Sequence, residues 1–187
     1  EYRERPVVLI FGSNLTALPA GVPALNKLYE AYRDRANFYI VYIQEAHPTD
    51  LWQLPSNQRD GVLYASPQTD GERVNVAASC VRNLGIHIPA LLDGIENTVE
   101  RDYTGWPDRI YMIGRDGRVL MKTRPGPFGF SSAELEAALV DTLSPSTKTM
   151  STTSQAAVLC AYTAPLEVRI YPVADPGPGE AIVRVEM

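Results

Sequence analysis

Short, unbroken apolar runs alternate along the first three quarters of the chain with stretches in which apolar residues recur every three or four positions. Val7 to Phe11, preceded by Pro6, is such a run with β-branched members, and it predicts a central strand. From Val22 onward Leu25, Leu28, Tyr29 and Tyr32 form one stripe with charges between them, which predicts a helix. Asn37 to Ile43 is apolar on both faces and predicts a second buried strand. Strand, helix and strand at this spacing make a βαβ unit, with parallel strands and a right-handed crossover. His47 to Ser66 is polar and rich in Pro, Asn and Asp, so it reads as a long loop. Thr69 then stands three residues before Glu72, the spacing of a capping box. Val74, Ala77, Ala78, Val81 and Leu84 supply the buried face of that helix, and Gly85 ends it. Ile88 to Gly94 predicts a third short strand. Pro107 to Thr123 reads as a hairpin around Arg115-Asp116-Gly117. A last helix starts near Ser131, with Glu134 three residues on and Leu135, Ala138 and Leu139 facing inward.

This order predicts an α/β fold over residues 1–143, a thioredoxin-like mixed sheet flanked by helices. After Leu143 the character changes. Residues 144–155 are Ser/Thr-rich and read as a linker. Beyond it, "AAVLCAY", "LEVRIYPV" and the stretch after a Pro/Gly turn are strand-like, a short β-rich segment over 156–187 too small for a core of its own.

Composition narrows the function. A net charge of −5 and a pI near 5.1 speak against nucleic acid, whose phosphates call for a basic surface. No stretch approaches the ~18 apolar residues of a membrane span. The two cysteines, Cys80 and Cys160, lie far apart and form neither a disulfide framework nor a metal-ligand cluster. A reducing, cytoplasmic setting is the expectation. The first residue is Glu1 rather than Met, so the chain reads as a segment and carries no information on targeting.

The candidate chemistry gathers at two places. Glu45 and His47 follow directly after a buried parallel strand, and the turn from Gly12 to Ala17 leaves the same end of its neighbour. Ligands and catalytic groups in open α/β sheets collect at the carboxyl ends of strands. An acid and an imidazole opposite a helix-start turn suit deprotonation of a thiol or donation of a proton to a leaving group. The plainer reading has His47 capping a loop and Glu45 paired with an arginine. Cys80, beside the apolar stripe of its helix, reads as a structural, half-buried cysteine, and His87 as a packed or loop histidine. Gly126 and Gly129 shape backbone and form no phosphate loop.

"RPVVLIFGS", "FYIVYIQEAHPTDLW", "ERVNVAA", "PDRIYMIGRDGRV" and "GPFGFSSAELEAAL" together resemble the iodothyronine deiodinase family and its bacterial relatives, from about Arg5 to Leu143. The resemblance implies a thioredoxin-related fold and reductive, thiol-dependent chemistry on a small molecule, with an external thiol as reductant and no bound metal or cofactor. Family members are often dimers, so a homodimer is implied as well. Ser13 matches the family's turn serine, and Thr16 stands where the reactive selenocysteine or cysteine belongs. Glu45 and His47 match the acidic and histidine positions. Pro107 falls where thioredoxin-like folds place a cis-proline against the turn. A second histidine expected near Pro67 to Thr69 is absent, and Ala17-Leu18 replaces a Pro-Pro. A threonine hydroxyl ionises far above a thiol (~8.5) and forms no sulfenic acid or disulfide. The resemblance therefore implies either an impaired oxidoreductase or an inactive binding or regulatory module.

From Met150 the tail resembles the opening strands of medium-chain, zinc-dependent alcohol dehydrogenases. That resemblance implies zinc and NAD(P) only if the dehydrogenase continues beyond Met187. Cys160 matches no zinc position. In that arrangement the first domain is a fused module, or a passenger of the dehydrogenase.

Overall fold

The computed structural model describes residues 4–16, 18–52, 55, 63–144 and the strands at 153–158 and 167–172. The chain divides into two units, Glu1–Ser144 and Pro145–Met187. In the first, β1 (Val7–Gly12) leads through α1 (Leu18–Tyr32) to β2 (Asn37–Tyr42), and α2 (Asp70–Asn83) leads to β3 (Ala90–Leu92). A short α3 (Thr98–Tyr103) precedes the hairpin of β4 (Arg109–Ile113) and β5 (Val119–Lys122), and α4 (Ser132–Leu143) closes the unit. The sheet order is β3-β2-β1-β4-β5. β1 runs parallel to β2, with Val7 beside Asn37, and antiparallel to β4, with Val7 beside Ile113. β3 joins β2 in parallel, with Ile40 beside Ala90.

Alternation along the strands divides the side chains between the two faces. Val8, Ile10, Ile40, Ile110 and Met112 enter one core with Leu18, Val22, Leu25 and Leu28 of α1 and Leu135 and Leu139 of α4. Each such side chain, removed from water, stabilises the fold by about 1.5–3 kcal/mol. On the other face Phe11, Val41, Ile43 and Tyr111 form a smaller cluster, and Tyr103 of α3 lies against Phe11 and Tyr111.

The helix ends follow local chemistry. Thr69 Oγ1 accepts from Glu72 N at 3.2 Å and Ser131 Oγ from Glu134 N at 3.2 Å, the caps expected from their spacing. Gly85, at φ +60°, ends α2 while Ile86 N donates to Val81 O at 3.0 Å, closing the last turn.

The structure also departs from the pattern. α1 starts at Leu18, four residues before Val22. The Thr16 hydroxyl caps that start, and the first turn tolerates Pro19 because its N–H groups have no helical partners. α2 buries Arg73, Ala77 and Cys80, so Val74 is half exposed rather than part of the core. Cys80 is completely buried rather than half-buried. The face is turned by Arg73, whose Nη1 donates to the carbonyls of Asp93 at 3.2 Å and Gly94 at 2.7 Å. β3 is three residues long and exposed at all three. α3 was not foreseen by periodicity: its N-cap, Asn97, is left-handed and makes no side-chain cap. The Asp93 carboxylate serves instead, accepting from Val99 N at 3.1 Å and Glu100 N at 2.8 Å. In the hairpin the tight turn runs from Gly114 to Gly117, which lies at φ +81°.

In the second unit β6 (Thr153–Val158) pairs antiparallel with β7 (Glu167–Pro172), Val158 against Glu167. β6 begins inside the stretch read as a linker. Residues 145–152 of that stretch, Cys160 and the strand-like residues after 172 lie outside the described residues.

Candidate functional site

The site is built where β1 and β2 end. β1 turns at Gly12, which packs so closely on α1 that a Cβ there would stand 2.9 Å from Leu18 Cβ. Ser13, Asn14 and Leu15 follow, all buried. Thr16 closes the turn: its Oγ1 donates to Ser13 O at 3.0 Å and accepts from Ser13 N at 3.3 Å and Leu18 N at 3.2 Å. These are the bonds of a capping hydroxyl.

Glu45 meets the turn from beneath. Its Oε2 accepts from Leu15 N at 3.0 Å, and its Oε1 accepts from the Tyr42 hydroxyl. That hydroxyl in turn accepts from Asn14 Nδ2 at 3.3 Å. The buried carboxylate thereby ties the end of β2 to the turn after β1. Burial pushes its pKa above the ordinary carboxylate value, although Tyr42, Ser13 and the amides of Leu15 and Asn14 favour the ionised form. Burial and the neighbouring Glu45 raise Tyr42 as well.

Above the turn opens a cavity of about 560 Å³, within the range of small-molecule sites. Thr16, His47, Trp52, Trp106, Pro107 and Asp108 are among the residues lining it. His47 sits edge-on to Trp52, ring centroids 4.6 Å apart, and its buried Nδ1 has no hydrogen-bond partner among the described residues. The Trp106–Pro107 peptide bond is cis. Asp108 is buried under Gly126, where a Cβ would fall 1.9 Å from Asp108 Oδ1, so only glycine fits over that carboxylate.

Glu45 does not line this cavity. It borders a second recess of about 230 Å³ with Gln44, Gln68, Arg73 and Asn97. Nearby Glu100 is pushed up by burial and by Asp93. Of the residues read as catalytic, the structure thus brings Thr16 and His47 to one cavity and puts Glu45 behind the turn. Ser13 lies within the turn and Pro107 on the cavity wall. Asn14, Tyr42, Trp52, Trp106 and Asp108 escaped the sequence reading as individuals. Tyr42, Trp52, Trp106 and Asp108 had signals, since they adjoin the Glu45-His47 element and Pro107. Gly129 has the tight backbone role expected, its Cβ position 2.5 Å from Arg124 Cβ.

The other candidates lie elsewhere. Cys80 belongs to the main core, and burial, then the Glu45 charge, push its thiol up to about 12. His87 is exposed, with Nδ1 3.3 Å from Glu30 Oε1 and its backbone N–H on Asn26 Oδ1. Among the described residues no three His, Cys, Asp or Glu side chains are grouped to hold a metal. None of their helices is long and apolar enough to cross a membrane.

Comparison with known proteins matches this architecture. Solved structures share the fold at low sequence identity. A secreted disulfide oxidoreductase of Mycobacterium tuberculosis superposes with a TM-score of 0.52 at 15% identity, over 75% of this chain and 84% of its own. A thioredoxin-like protein of Aeropyrum pernix gives 0.50 at 18% identity, over 73% and 76%. The sheet is thus thioredoxin-like. In sequence the chain is 31% identical to type I iodothyronine deiodinase of Xenopus laevis, over 70% of this chain and 50% of the relative. It is 34% identical to type II iodothyronine deiodinase of Petromyzon marinus, over 72% and 46%, and 32% identical to thyroxine 5-deiodinase of Ovis aries, over 70% and 44%. The chain therefore spans about half the length of these relatives. The sequence profile of the iodothyronine deiodinases matches residues 2–142, and the chain belongs to that family.

Proposed function

We propose that the first domain is a thioredoxin-fold oxidoreductase scaffold of deiodinase type, taking a small, largely apolar molecule into the Trp52–Trp106 cavity, whose thiol-dependent reduction is impaired by Thr16. The observation that carries this reading is the state of the Thr16 hydroxyl. It stands at the helix start facing the cavity, and its proton goes to Ser13 O while its lone pairs take the amides of Ser13 and Leu18. Reductive dehalogenation needs a soft anion to take the halogen and a proton to replace it on carbon. In this reading His47, which lines the cavity, supplies the proton. Glu45 is a positioning residue that holds the turn. An external thiol would be the reductant, and a reducing, cytoplasmic compartment suits both it and the free thiol of Cys80.

The second reading is an inactive binding or regulatory module fused to a dehydrogenase. It is favoured by the missing thiol and by the order of residues 150–187, which the family match does not reach. Sequencing the transcript beyond Met187 tests the fusion: a following zinc-ligating Cys-Gly segment supports it, and any other continuation removes it.

Dithiol-dependent turnover of an iodinated phenol, and of a peroxide, tests the scaffold. The proteins to compare are the unmodified chain, Thr16→Cys and Cys80→Ala. We expect turnover in Thr16→Cys alone. Turnover by the unmodified chain that Cys80→Ala abolishes would overturn this reading, because the nucleophile would then reside in α2.

A further inference from the structure

On the α3 face of the sheet two cations converge on one neutral oxygen. Arg109 Nη1 lies 3.0 Å and Lys122 Nζ 3.2 Å from Thr104 Oγ1, so the two nitrogens are within about 6 Å of each other. Thr104 is held for this role. It closes α3 in the left-handed conformation, φ 51°, uncommon for a β-branched residue, and its hydroxyl proton goes to Tyr103 O at 2.6 Å. The Tyr111 hydroxyl donates to the same carbonyl, and Lys122 Nζ lies 5.2 Å from the Tyr111 ring centroid. Both hydroxyls therefore offer the cations only lone pairs. An ammonium has three N–H donors and a guanidinium five, more than the two hydroxyls can take up among the described residues. The Arg109 Nε is buried without a hydrogen-bond partner among the described residues. Within those residues neither cation forms an ion pair; the pairs that do form are on Glu30 and Asp116.

Two like charges at this separation repel, and a chain of net charge −5 has carboxylates to offer them, yet none of the described ones pairs with either. We propose that Arg109, Lys122 and Thr104 form a binding site for a tetrahedral oxyanion, a phosphate or sulfate group, on the α3 face and separate from the cavity. The oxygens of such a group stand about 2.5 Å apart, so two of them reach both nitrogens with charge-assisted bonds, and a dianion neutralises both cations. Although burial works the other way, hydrogen bonding by Lys122, Thr104 and Arg109 and the Lys122 charge lower the pKa of Tyr111, as donors crowded at this spot would. Thr104 and Arg109 also bracket Trp106, Pro107 and Asp108 on the cavity wall, so an anion here fixes both ends of that segment. The site does not depend on the chemistry proposed for the cavity.

Titration with inorganic phosphate against chloride at constant ionic strength, followed by the backbone amide signals of Thr104, Arg109 and Lys122, tests it. The unmodified protein and Arg118→Gln, which removes an exposed arginine at the hairpin tip, should show saturable shifts. In Lys122→Gln the dissociation constant should rise at least about tenfold. Arg109→Gln should behave likewise, and if it fails to fold, Lys122→Gln still decides. Shifts that match chloride, or phosphate binding unchanged in Lys122→Gln, would overturn the site.

Discussion

The turn at Thr16 and the core position at Cys80 divide between them what a reactive thiol needs. Thr16 has access: it borders a cavity, begins a helix and faces an imidazole-bearing wall, but its atom is a hard hydroxyl engaged in capping. Cys80 has the soft atom but no access, buried between helix and sheet with its thiol pushed up to about 12. Reactivity is thus a property of place and atom together. The largest test moves the atom to the place. In a Cys160→Ser background, a Thr16→Cys thiol should react with a maleimide at neutral pH on the order of a thousandfold faster than Cys80, the ratio of thiolate fractions alone. Comparable rates would break the contrast. Cys80 should become reactive only on unfolding.

Glu45 sharpens the comparison, because it underpins the accessible place. Glu45→Ala leaves Leu15 N and the Tyr42 hydroxyl without their acceptor, and should cost about 2–3 kcal/mol in denaturant unfolding. Glu45→Gln fills the same space without ionising. Since burial raises the Glu45 pKa, the folded state binds its proton more tightly than the unfolded chain does. The stabilisation this gives is present below the ordinary carboxylate value and is lost as pH rises through the raised one. The stability gap between the unmodified protein and Glu45→Gln should therefore narrow as pH rises from the ordinary carboxylate range. A widening gap would mean that the hydrogen bonds outweigh burial. The smallest effect is expected at the cap itself: Thr16→Ala should lose about 1 kcal/mol and Thr16→Ser almost nothing.

Much of the fold was legible because its signals are local. Strands β1 and β2 are unbroken apolar runs, and Thr69 and Ser131 announce their helices by the residue three positions on. The α2 pattern places Ala77, Val81 and Leu84 against the core but puts Val74 there in place of Arg73, because hydrophobicity cannot foresee a buried arginine whose partners are the carbonyls of Asp93 and Gly94. α3 was invisible for a related reason, its cap being a carboxylate several residues upstream. The site divides the same way. Glu45 and His47 stand two residues apart and were found together, yet they border different recesses. Gln44, beside Glu45 in its recess, meets Asn97, 53 positions away in sequence, at 3.4 Å. The fork at Thr104 likewise joins three segments that no single window of sequence contains.

The short edge strand β3 carries a consequence for how this protein behaves at high concentration. An open strand edge is a template for another chain, and Leu91 and Leu92 expose apolar side chains along this one. Its length limits the hazard. Pro89 has no N–H to offer at one end, and at the other Asp93 turns its carboxylate inward to hold α3. Three residues give an incoming strand too few bonds to repay its ordering. The same residue that closes this edge through its N–H on Tyr42 O also starts α3 through its carboxylate, so the strand end and the helix start share one anchor.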